Sequence, residues 1–240
     1  MSLEGKTILI TGGARRVGRS LALAAANAGA NVVIHYHRSE VEAKVLQNEI
    51  SGMGREARLL KADLENPKQS MELINRAQGK EGLFALVNNA AVFESLSWEA
   101  TDLKAWDRHL MVNLTAPFLL SQAFARSIGH EAEGRIINLL DWRAMRPGAD
   151  HLPYTVSKAG LAALTQSLAI ALAPNITVNG LALGAILAPE EGAPKKLVEQ
   201  VPAGRWGTLD EVGQALIFLL SGPAYITGEI LHVDGGRHLV

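Results

Sequence analysis

The 240-residue sequence contains no cysteine. Disulfides, thiolate nucleophiles and zinc–sulfur sites are therefore excluded from its chemistry. Aromatic residues make up 5% of the chain, and 23 basic against 24 acidic residues leave a formal net charge of −1. Because neither sign of charge dominates, no long-range field favours nucleic acid or a membrane surface as a partner. No motif predicts a metal site.

Long hydrophobic runs and a leader-like N-terminus are also missing. The longest apolar runs, such as residues 215–220, fall far short of the roughly 18 residues that indicate a membrane span. A strand-like run begins at Lys6 with no basic stretch and apolar core before it, so we expect no signal peptide. With 48% apolar residues, the sequence predicts one soluble, cytoplasmic domain that binds a small molecule.

Apolar, β-branched runs alternate with stretches of helical periodicity. The runs predicted as strands are residues 7–11, 31–36, 57–60, 83–87, 135–140, 177–181 and 230–233. The stretches predicted as helices are 18–28, 41–51, 68–78, 102–128, 153–173 and 209–220. This alternation predicts a single-domain α/β fold of Rossmann type over residues 1–240, with helices on both faces of a doubly wound parallel sheet of about seven strands. The Pro- and Gly-rich segment 184–204 is predicted to be a substrate lid.

A glycine-containing turn connects the first predicted strand directly to a helix. Small residues let the backbone approach a pyrophosphate, and a helix N-terminus offers free N–H groups and the positive end of its dipole. The spacing is not GxGxxG, so the turn alone is a weak signal. The residues assigned here to cofactor binding are Gly12, Arg15, Arg16, Val17 and Gly18.

The end of the second predicted strand favours NADPH over NADH. NAD-binding domains usually place Asp or Glu here to hold the ribose hydroxyls. This sequence instead has His37, Arg38 and Ser39, with no acid before Glu40. We expect Arg16 and Arg38 to flank one point and, with the Ser39 hydroxyl, to hold a 2′-phosphate. The alternative is that Arg38 is a solvated loop cation and His37 a surface residue.

Two later segments are also assigned to the cofactor. Asp63 and Leu64 follow the third predicted strand, where a carboxylate could accept from the adenine amino group. Asn89 and Ala90 follow the fourth, where a small residue would let the chain pass close under the cofactor. Turn capping is the usual role of Asn and Asp, and it stays open as an alternative.

Tyr154 and Lys158 lie four residues apart in a predicted helix. This spacing places both side chains on one face, about 6 Å apart along the axis. A nearby ammonium favours the phenolate, so we expect the pKa of Tyr154 to fall below its usual value of about 10. Proton donation near neutrality would then be feasible. Lys158 could also reach the ribose hydroxyls of a nicotinamide.

Together these motifs resemble those of the classical short-chain dehydrogenases/reductases over essentially the whole chain. The matching pieces are residues 11–18, Asp63, residues 88–90, Asn113, Tyr154, Lys158, residues 225–228 and residues 233–236. The resemblance implies that Tyr154 donates the proton, Lys158 tunes it and Asn113 holds a proton-relay water. It also assigns Gly184 and Ile186 to the cofactor and implies a homotetramer or homodimer.

Two departures from the family pattern are informative. Arg16 replaces the middle glycine of the first turn, and Asp141 stands 13 residues before Tyr154, where the family has its catalytic serine. A serine mainly polarises a carbonyl, whereas a carboxyl can accept or donate a proton. Asp141 therefore suits protonation of a ring nitrogen while hydride enters the adjacent carbon. The alternative is that Asp141 merely caps a turn.

Both departures resemble the pteridine reductases, a branch of the superfamily that reduces dihydropterins, dihydrofolate or oxidised pterins with NADPH. That resemblance extends to the His-Tyr-His-Arg-Ser end of the second strand and to Phe93, whose ring would stack the flat heterocycle against the nicotinamide. Arg16 would face the pterin and the cofactor phosphates at once. Asp141 and Tyr154 would complete the substrate contacts, and pteridine reduction is the expected function.

Two other functions stay open. The first is a general carbonyl reductase acting on a 3-oxoacyl thioester or a similar ketone, and Asp141 in place of serine argues against it. The second is a non-catalytic NADP(H)-binding sensor. Asn113, Tyr154 and Lys158 argue against the sensor, because a sensor needs no proton donor.

Overall fold

Seven parallel strands form one sheet in the computed structural model, which describes residues 1–79, 82–129, 132–187 and 199–240. The strands are β1 (Thr7–Ile10), β2 (Asn31–Tyr36), β3 (Ala57–Lys61), β4 (Ala85–Asn88), β5 (Gly134–Asp141), β6 (Ile176–Leu183) and β7 (Ile230–Val233). Their order is β3-β2-β1-β4-β5-β6-β7. The order reverses between β1 and β4, which is the point where doubly wound sheets bind ligands. The predicted fold class is confirmed, and each predicted strand is found within two residues of its expected ends.

Helices cover both faces of this sheet. They are α1 (Arg16–Asn27), α2 (Glu40–Gly52), α3 (Pro67–Ala77), α4 (Leu103–Leu110), α5 (Ala116–Ser127), α6 (Leu152–Leu172) and α7 (Leu209–Ser221). Successive residues of β1 point to opposite faces. Ile8 accordingly packs with Leu21 of α1 and Leu216 of α7, whereas Leu9 packs in a second apolar cluster with Leu73 of α3. Burying one such side chain contributes roughly 1.5–3 kcal/mol.

The helix predicted over residues 102–128 is found within one residue of its expected ends, but it is not regular throughout. The segment consists of α4, a π-helical turn at Met111–Thr115, and α5. Pro117 lies in the first turn of α5 and has no N–H to give to the carbonyl of Asn113 four residues earlier. The regular hydrogen-bond ladder is interrupted there, and π turns of this kind are frequent near functional sites.

The predicted lid, residues 184–204, lies partly outside the described residues, because 188–198 are not among them. The described residues on either side belong to two loops. Gly184 and Ile186 follow β6, and Gly207 precedes α7 and donates its N–H to the Ala185 carbonyl at 2.9 Å. Closure of a lid over the cleft stays a prediction.

Among the described residues, one helix, α6, is long and apolar enough to cross a membrane by length and composition alone. Its polar side chains are used inside the domain. Lys158 and Thr165 are buried, and each is hydrogen-bonded to β5, Lys158 to the Leu139 carbonyl and Thr165 to the Asn138 side chain. These contacts identify α6 as a helix of the α/β layer.

Candidate active site

An open cleft of about 600 Å³ lies at the carboxyl ends of β1, β4, β5 and β6. A volume of this size suits a small-molecule or cofactor site. The cofactor-assigned residues that line it are Gly12, Arg15, Arg16, Val17, Gly18, Asn89, Ala90, Lys158, Gly184 and Ile186. The residues assigned to chemistry or substrate that line it, besides Arg16 and Lys158, are Phe93, Asp141 and Tyr154. The fold therefore gathers most of the predicted site around one space.

The turn between β1 and α1 is packed too closely at Gly18 for a larger side chain. A methyl group on Gly18 would lie 2.2 Å from the Gly12 carbonyl oxygen, so α1 begins against bare backbone. Arg16 has a φ of 52°, in the left-handed region that favours glycine. A non-glycine residue held there costs on the order of 1 kcal/mol or more. Its exposed side chain lines the cleft, which is consistent with retention of Arg16 for a ligand contact.

A second cavity of about 230 Å³ adjoins the cleft at the end of β2 and shares Gly12 and Arg15 with it. The residues lining it include Arg15, His37, Arg38 and Ser39. Two guanidiniums and a hydroxyl form a donor set that suits a 2′-phosphate. Arg15 lines this cavity beside Arg38, whereas Arg16 lines the larger cleft. That Arg16 and Arg38 flank one point of a bound cofactor stays a prediction.

The buried side chain of His35 ties the first turn to the neighbouring strand, a role that the sequence analysis missed. The Gly12 N–H donates to His35 Nδ1 at 3.0 Å, and His35 Nε2 lies 3.2 Å from the Ala62 carbonyl oxygen. Since Nδ1 accepts, the ring is neutral and donates through Nε2. Burial lowers the pKa of His35 to about 4. The sequence held one indication of this role: His35 lies in the His-Tyr-His-Arg-Ser segment, at a position of β2 that faces inward.

This histidine makes the stability of the fold pH-dependent. In the unfolded chain a histidine titrates near pH 6.5. The folded pKa is lower, so the unfolded chain takes up the proton first as the pH falls. The contribution of neutral His35 is complete above about pH 6.5 and is lost as the pH falls toward 4, a loss of about 3 kcal/mol. The free energy of unfolding, measured by urea at fixed protein concentration between about pH 7.5 and 4.5, would show this loss.

The matched control is His35→Gln. The Gln amide offers one acceptor for the Gly12 N–H and one donor for the Ala62 carbonyl, but it does not titrate. We expect the variant to lose distinctly less stability than the wild type over the same pH interval. Equal losses in the two proteins would show that His35 does not carry this pH dependence.

The loop after β4 is fastened to the first turn by paired hydrogen bonds. Thr11 Oγ1 accepts from the N–H groups of Asn89 at 2.9 Å and Ala90 at 3.0 Å. The Asn89 amide donates in return to the Thr11 carbonyl at 2.8 Å and the Gly12 carbonyl at 3.1 Å. The side chain of Asn89 therefore sets the spacing between two walls of the cleft.

Asn113 is fully buried and reaches across to the same loop from the π-helical turn. Its Oδ1 accepts from the Val92 N–H at 2.8 Å, and its Nδ2 donates to the Val92 carbonyl at 2.9 Å and to Ser157 Oγ at 3.0 Å. Ser157 Oγ in turn donates to the Tyr154 carbonyl at 2.6 Å. In this arrangement Asn113 positions Tyr154 and the loop beside Phe93. That it holds a relay water stays a prediction.

Asp141, Tyr154 and Lys158 meet at the carboxyl end of β5. The Tyr154 hydroxyl donates to Asp141 Oδ2 at 3.2 Å, while Asp141 Oδ1 accepts from the Arg143 N–H at 2.9 Å. Asp141 thus caps the short turn that follows β5 and still presents one oxygen to Tyr154. Lys158 Nζ donates to the Leu139 carbonyl at 2.6 Å and lies 5.8 Å from the Tyr154 ring centroid.

Burial dominates the electrostatics of this group. It lowers the pKa of Lys158 to about 8 and raises the pKa of Asp141 above its usual value. The predicted lowering of the Tyr154 pKa is wrong. Burial first, and then the Asp141 carboxyl, raise the pKa of Tyr154 well above 10. Tyr154 therefore keeps its proton, and a carboxyl that also holds a proton more readily than usual lies beside it.

Phe93 extends from the loop after β4 with 56% of its surface exposed. Its ring stacks on His151 with centroids 4.5 Å apart and meets Tyr154 edge-on at 4.7 Å. An aromatic wall therefore stands next to Tyr154. Its contact with a substrate stays a prediction.

Two predicted cofactor residues are not in the lining of either cavity. Leu64 is buried in the apolar cluster around Leu73, so its side chain serves packing. Asp63 Oδ1 accepts from the Glu65 N–H at 2.9 Å and lies 3.9 Å from His37 Nδ1. Asp63 therefore caps the turn after β3, as the alternative reading of this residue had it, and any contact with an adenine stays a prediction.

A family profile described as enoyl-(acyl carrier protein) reductase matches residues 12–238. The chain belongs to this family of short-chain dehydrogenases/reductases, which are NAD(P)-dependent oxidoreductases. The resemblance read from the motifs is thereby confirmed at the level of the family.

Individual relatives differ in their activities. The 3-oxoacyl-[acyl-carrier-protein] reductase FabG of Aquifex aeolicus is 36% identical over 251 residues, covering 98% of both chains. FolM alternative dihydrofolate reductase 1 from Brucella canis, complexed with NADP, has a TM-score of 0.93 at 34% identity, covering 100% of this chain and 97% of that chain. A short chain dehydrogenase from Burkholderia cenocepacia in complex with NADP has a TM-score of 0.92 at 34% identity, covering 99% of each.

Proposed function

We propose that this protein uses NADPH to reduce a pterin-type heterocycle, either a dihydropterin or dihydrofolate. One observation carries the proposal: within the cleft, the carboxyl of Asp141 is hydrogen-bonded to the Tyr154 hydroxyl, where carbonyl-reducing relatives are expected to have a serine. The likeness to the Brucella alternative dihydrofolate reductase supports it.

The two cavities fit NADPH. The pyrophosphate suits the turn between β1 and α1 and the N-terminus of α1, where Gly18 packs against bare backbone. The 2′-phosphate suits Arg15, Arg38 and Ser39. Lys158 lies in the same cleft and would hold the nicotinamide ribose. NADP in two similar structures supports this assignment. When bound, the cofactor supplies a hydride.

The chain's own residues supply the proton. In a dihydropterin, hydride enters a ring carbon and a proton goes to the adjacent ring nitrogen. Tyr154 and Asp141 share a hydrogen bond, and their raised pKa values keep each of them protonated to higher pH than in water, so a proton is held at the pair. The carboxyl is the stronger acid of the two and can pass its proton to Tyr154 through this bond as Tyr154 gives its own to the ring nitrogen. Arg143 fixes the Asp141 carboxylate through its backbone N–H, so the pair is held in place before the substrate binds.

A second candidate function is reduction of a 3-oxoacyl thioester. It is favoured by the 36% identity to the Aquifex aeolicus reductase over nearly the whole chain. Asp141 argues against it, because a buried carboxyl beside the proton donor polarises a ketone poorly when ionised.

A substrate panel separates these functions. NADPH consumption would be followed with 7,8-dihydrobiopterin, dihydromonapterin, dihydrofolate, a 3-oxoacyl thioester and a simple ketone, and each assay repeated with NADH. We expect at least one dihydropterin or dihydrofolate to exceed the ketones by about 100-fold in kcat/KM, and NADPH to exceed NADH by about tenfold or more. Turnover of the thioester without turnover of any pterin would refute the proposal. NADPH binding with no turnover at all would indicate a sensor.

We also propose that the protein is a homodimer or homotetramer. Apolar side chains on the outer faces of α5 and α6 support this, with Phe118, Val156 and Ile170 exposed by 39, 39 and 83%. Exposed apolar residues on long helices are typical of subunit interfaces. Sedimentation velocity of the purified protein would show whether it is a monomer, a dimer or a tetramer.

A further inference from the structure

The ring of Phe93 has a second aromatic ring stacked on it. His151 lies directly before α6, and its imidazole is nearly parallel to the Phe93 ring, with centroids 4.5 Å apart and 18° between the planes. Phe93 lines the cleft, whereas His151 is not in the lining. The side chain of His151 is only 15% exposed. His151 therefore acts on the cleft through the ring of Phe93.

Hydrogen bonds and an ion pair connect His151 to the turn that follows β5. Its Nδ1 lies 2.9 Å from Asp150 Oδ2, and the same oxygen accepts from Arg143 Nη2 at 2.9 Å. Arg143 Nη1 lies 3.9 Å from Asp141 Oδ1, which also accepts from the Arg143 backbone N–H. Because the Asp150 carboxylate joins the imidazole to this turn, the orientation of His151 is set relative to Asp141.

The backbone of His151 has a conformation that is uncommon outside glycine. Its φ of 53° and ψ of 43° lie in the left-handed region, which glycine adopts without strain. A non-glycine residue is kept there only when its surroundings compensate for the strain. The side chain makes no capping hydrogen bond to the first turn of α6, so the start of the helix does not explain the histidine. The contacts with Phe93 and Asp150 do.

Two backbone anchors hold the loop that carries Phe93. Asn113 pairs with both the N–H and the carbonyl of Val92, and the Leu96 carbonyl accepts from the first N–H of α6 at 2.9 Å. Between these anchors the Phe93 ring is stacked on the imidazole. Removing the imidazole would therefore free the ring while both anchors stay in place.

We propose that His151 is a positioning residue that holds the Phe93 ring in place for stacking on a flat heteroaromatic substrate, and that it thereby sets the affinity for such a substrate. This inference rests on the proposed function and adds a specificity-determining residue to that site. A ring that is already fixed loses less side-chain freedom when the substrate binds. His151 should accordingly act on substrate binding and leave proton transfer unchanged.

His151→Gly tests this inference, because glycine fits the backbone and removes only the imidazole. The substrate is whichever of 7,8-dihydrobiopterin, dihydromonapterin and dihydrofolate the wild type turns over fastest. We expect its KM to rise about fivefold or more, while kcat and the Kd for NADPH change by less than about twofold. His151→Phe keeps an aromatic face and should restore most of the wild-type KM.

Phe93→Leu provides the matched background for a double-mutant cycle. Because His151 acts through Phe93, adding His151→Gly to Phe93→Leu should raise KM by less than about twofold further. An unchanged KM in His151→Gly overturns the inference. An equal rise in the presence and absence of the Phe93 ring also overturns it, since His151 would then act by another route.

Hydrogen exchange gives a second measurement that is independent of turnover. In His151→Gly we expect amides of residues 91–95 to exchange about fivefold faster than in the wild type, with exchange in β5 unchanged and with His151→Phe close to the wild type. If the wild type reduces no pterin, the proposed function fails, yet this exchange still decides whether His151 holds the Phe93 loop. Equal exchange at residues 91–95 in His151→Gly and the wild type counts against the inference.

Discussion

Tyr154→Phe is expected to lower kcat by about 10³-fold while the Kd for NADPH changes by less than about twofold. The substitution removes only the hydroxyl that donates to Asp141 Oδ2 in the cleft. The ring keeps its buried place and its edge-on contact with Phe93. Because proton transfer is lost and no residue assigned to the cofactor is changed, turnover and cofactor binding separate.

Single-turnover rates and fluorescence titration with NADPH measure the two quantities. Tyr225→Phe is the control, since Tyr225 is fully exposed on the surface and removal of its hydroxyl should change neither. A Tyr154→Phe enzyme with more than about a tenth of the wild-type rate would show that another group delivers the proton. Simultaneous loss of NADPH binding would show instead that the variant is misfolded.

Asp141→Asn is expected to lower kcat for the pterin by about 10²–10³-fold. The amide oxygen of Asn can still accept from the Arg143 N–H, so the turn after β5 stays capped. The amide cannot exchange a proton with Tyr154 in the way a carboxyl can. The loss therefore reports chemistry rather than folding, and an unchanged melting temperature would support this reading.

The pH profile gives a second readout for Asp141. Burial raises the pKa of this carboxyl, so it keeps its proton to higher pH than an ordinary Asp and loses it as the pH rises through that raised value. Wild-type kcat should fall as the pH rises through this pKa, and this fall should be missing in Asp141→Asn.

Asp141→Ser would restore the usual residue of the family. Ketone activity that rises in this variant without loss of pterin activity would favour the carbonyl-reductase alternative.

Much of this site follows from the sequence because it depends on local spacing. A spacing of four residues places Tyr154 and Lys158 on one face of a helix, and a strand followed by Arg38, with no acid before it, predicts a phosphate contact. Strand ends could be placed because parallel strands covered on both faces are continuous apolar runs. Each of these conclusions needs only the regular geometry of one element.

The errors arose where geometry is irregular or contacts are distant. The left-handed conformation of Arg16 could not be read from residue types, and neither could the place of Arg15 beside Arg38 in the second cavity. The pKa of Tyr154 depends on burial, which a spacing argument does not contain. Arg143 and Arg237 meet on Trp142 only because β5 and β7 flank β6 in the sheet.

The bridge made by His35 constrains attempts to redesign cofactor preference. Residues 37–39 would be the natural targets for mutagenesis toward NADH, and they lie just beyond His35, where β2 ends. The same strand end also holds the Gly12 N–H through the imidazole. A randomised library that included position 35 would therefore mix changes in nucleotide selectivity with changes in the shape of the pyrophosphate turn. Diversifying 37–39 while leaving 35 intact keeps the two properties separable.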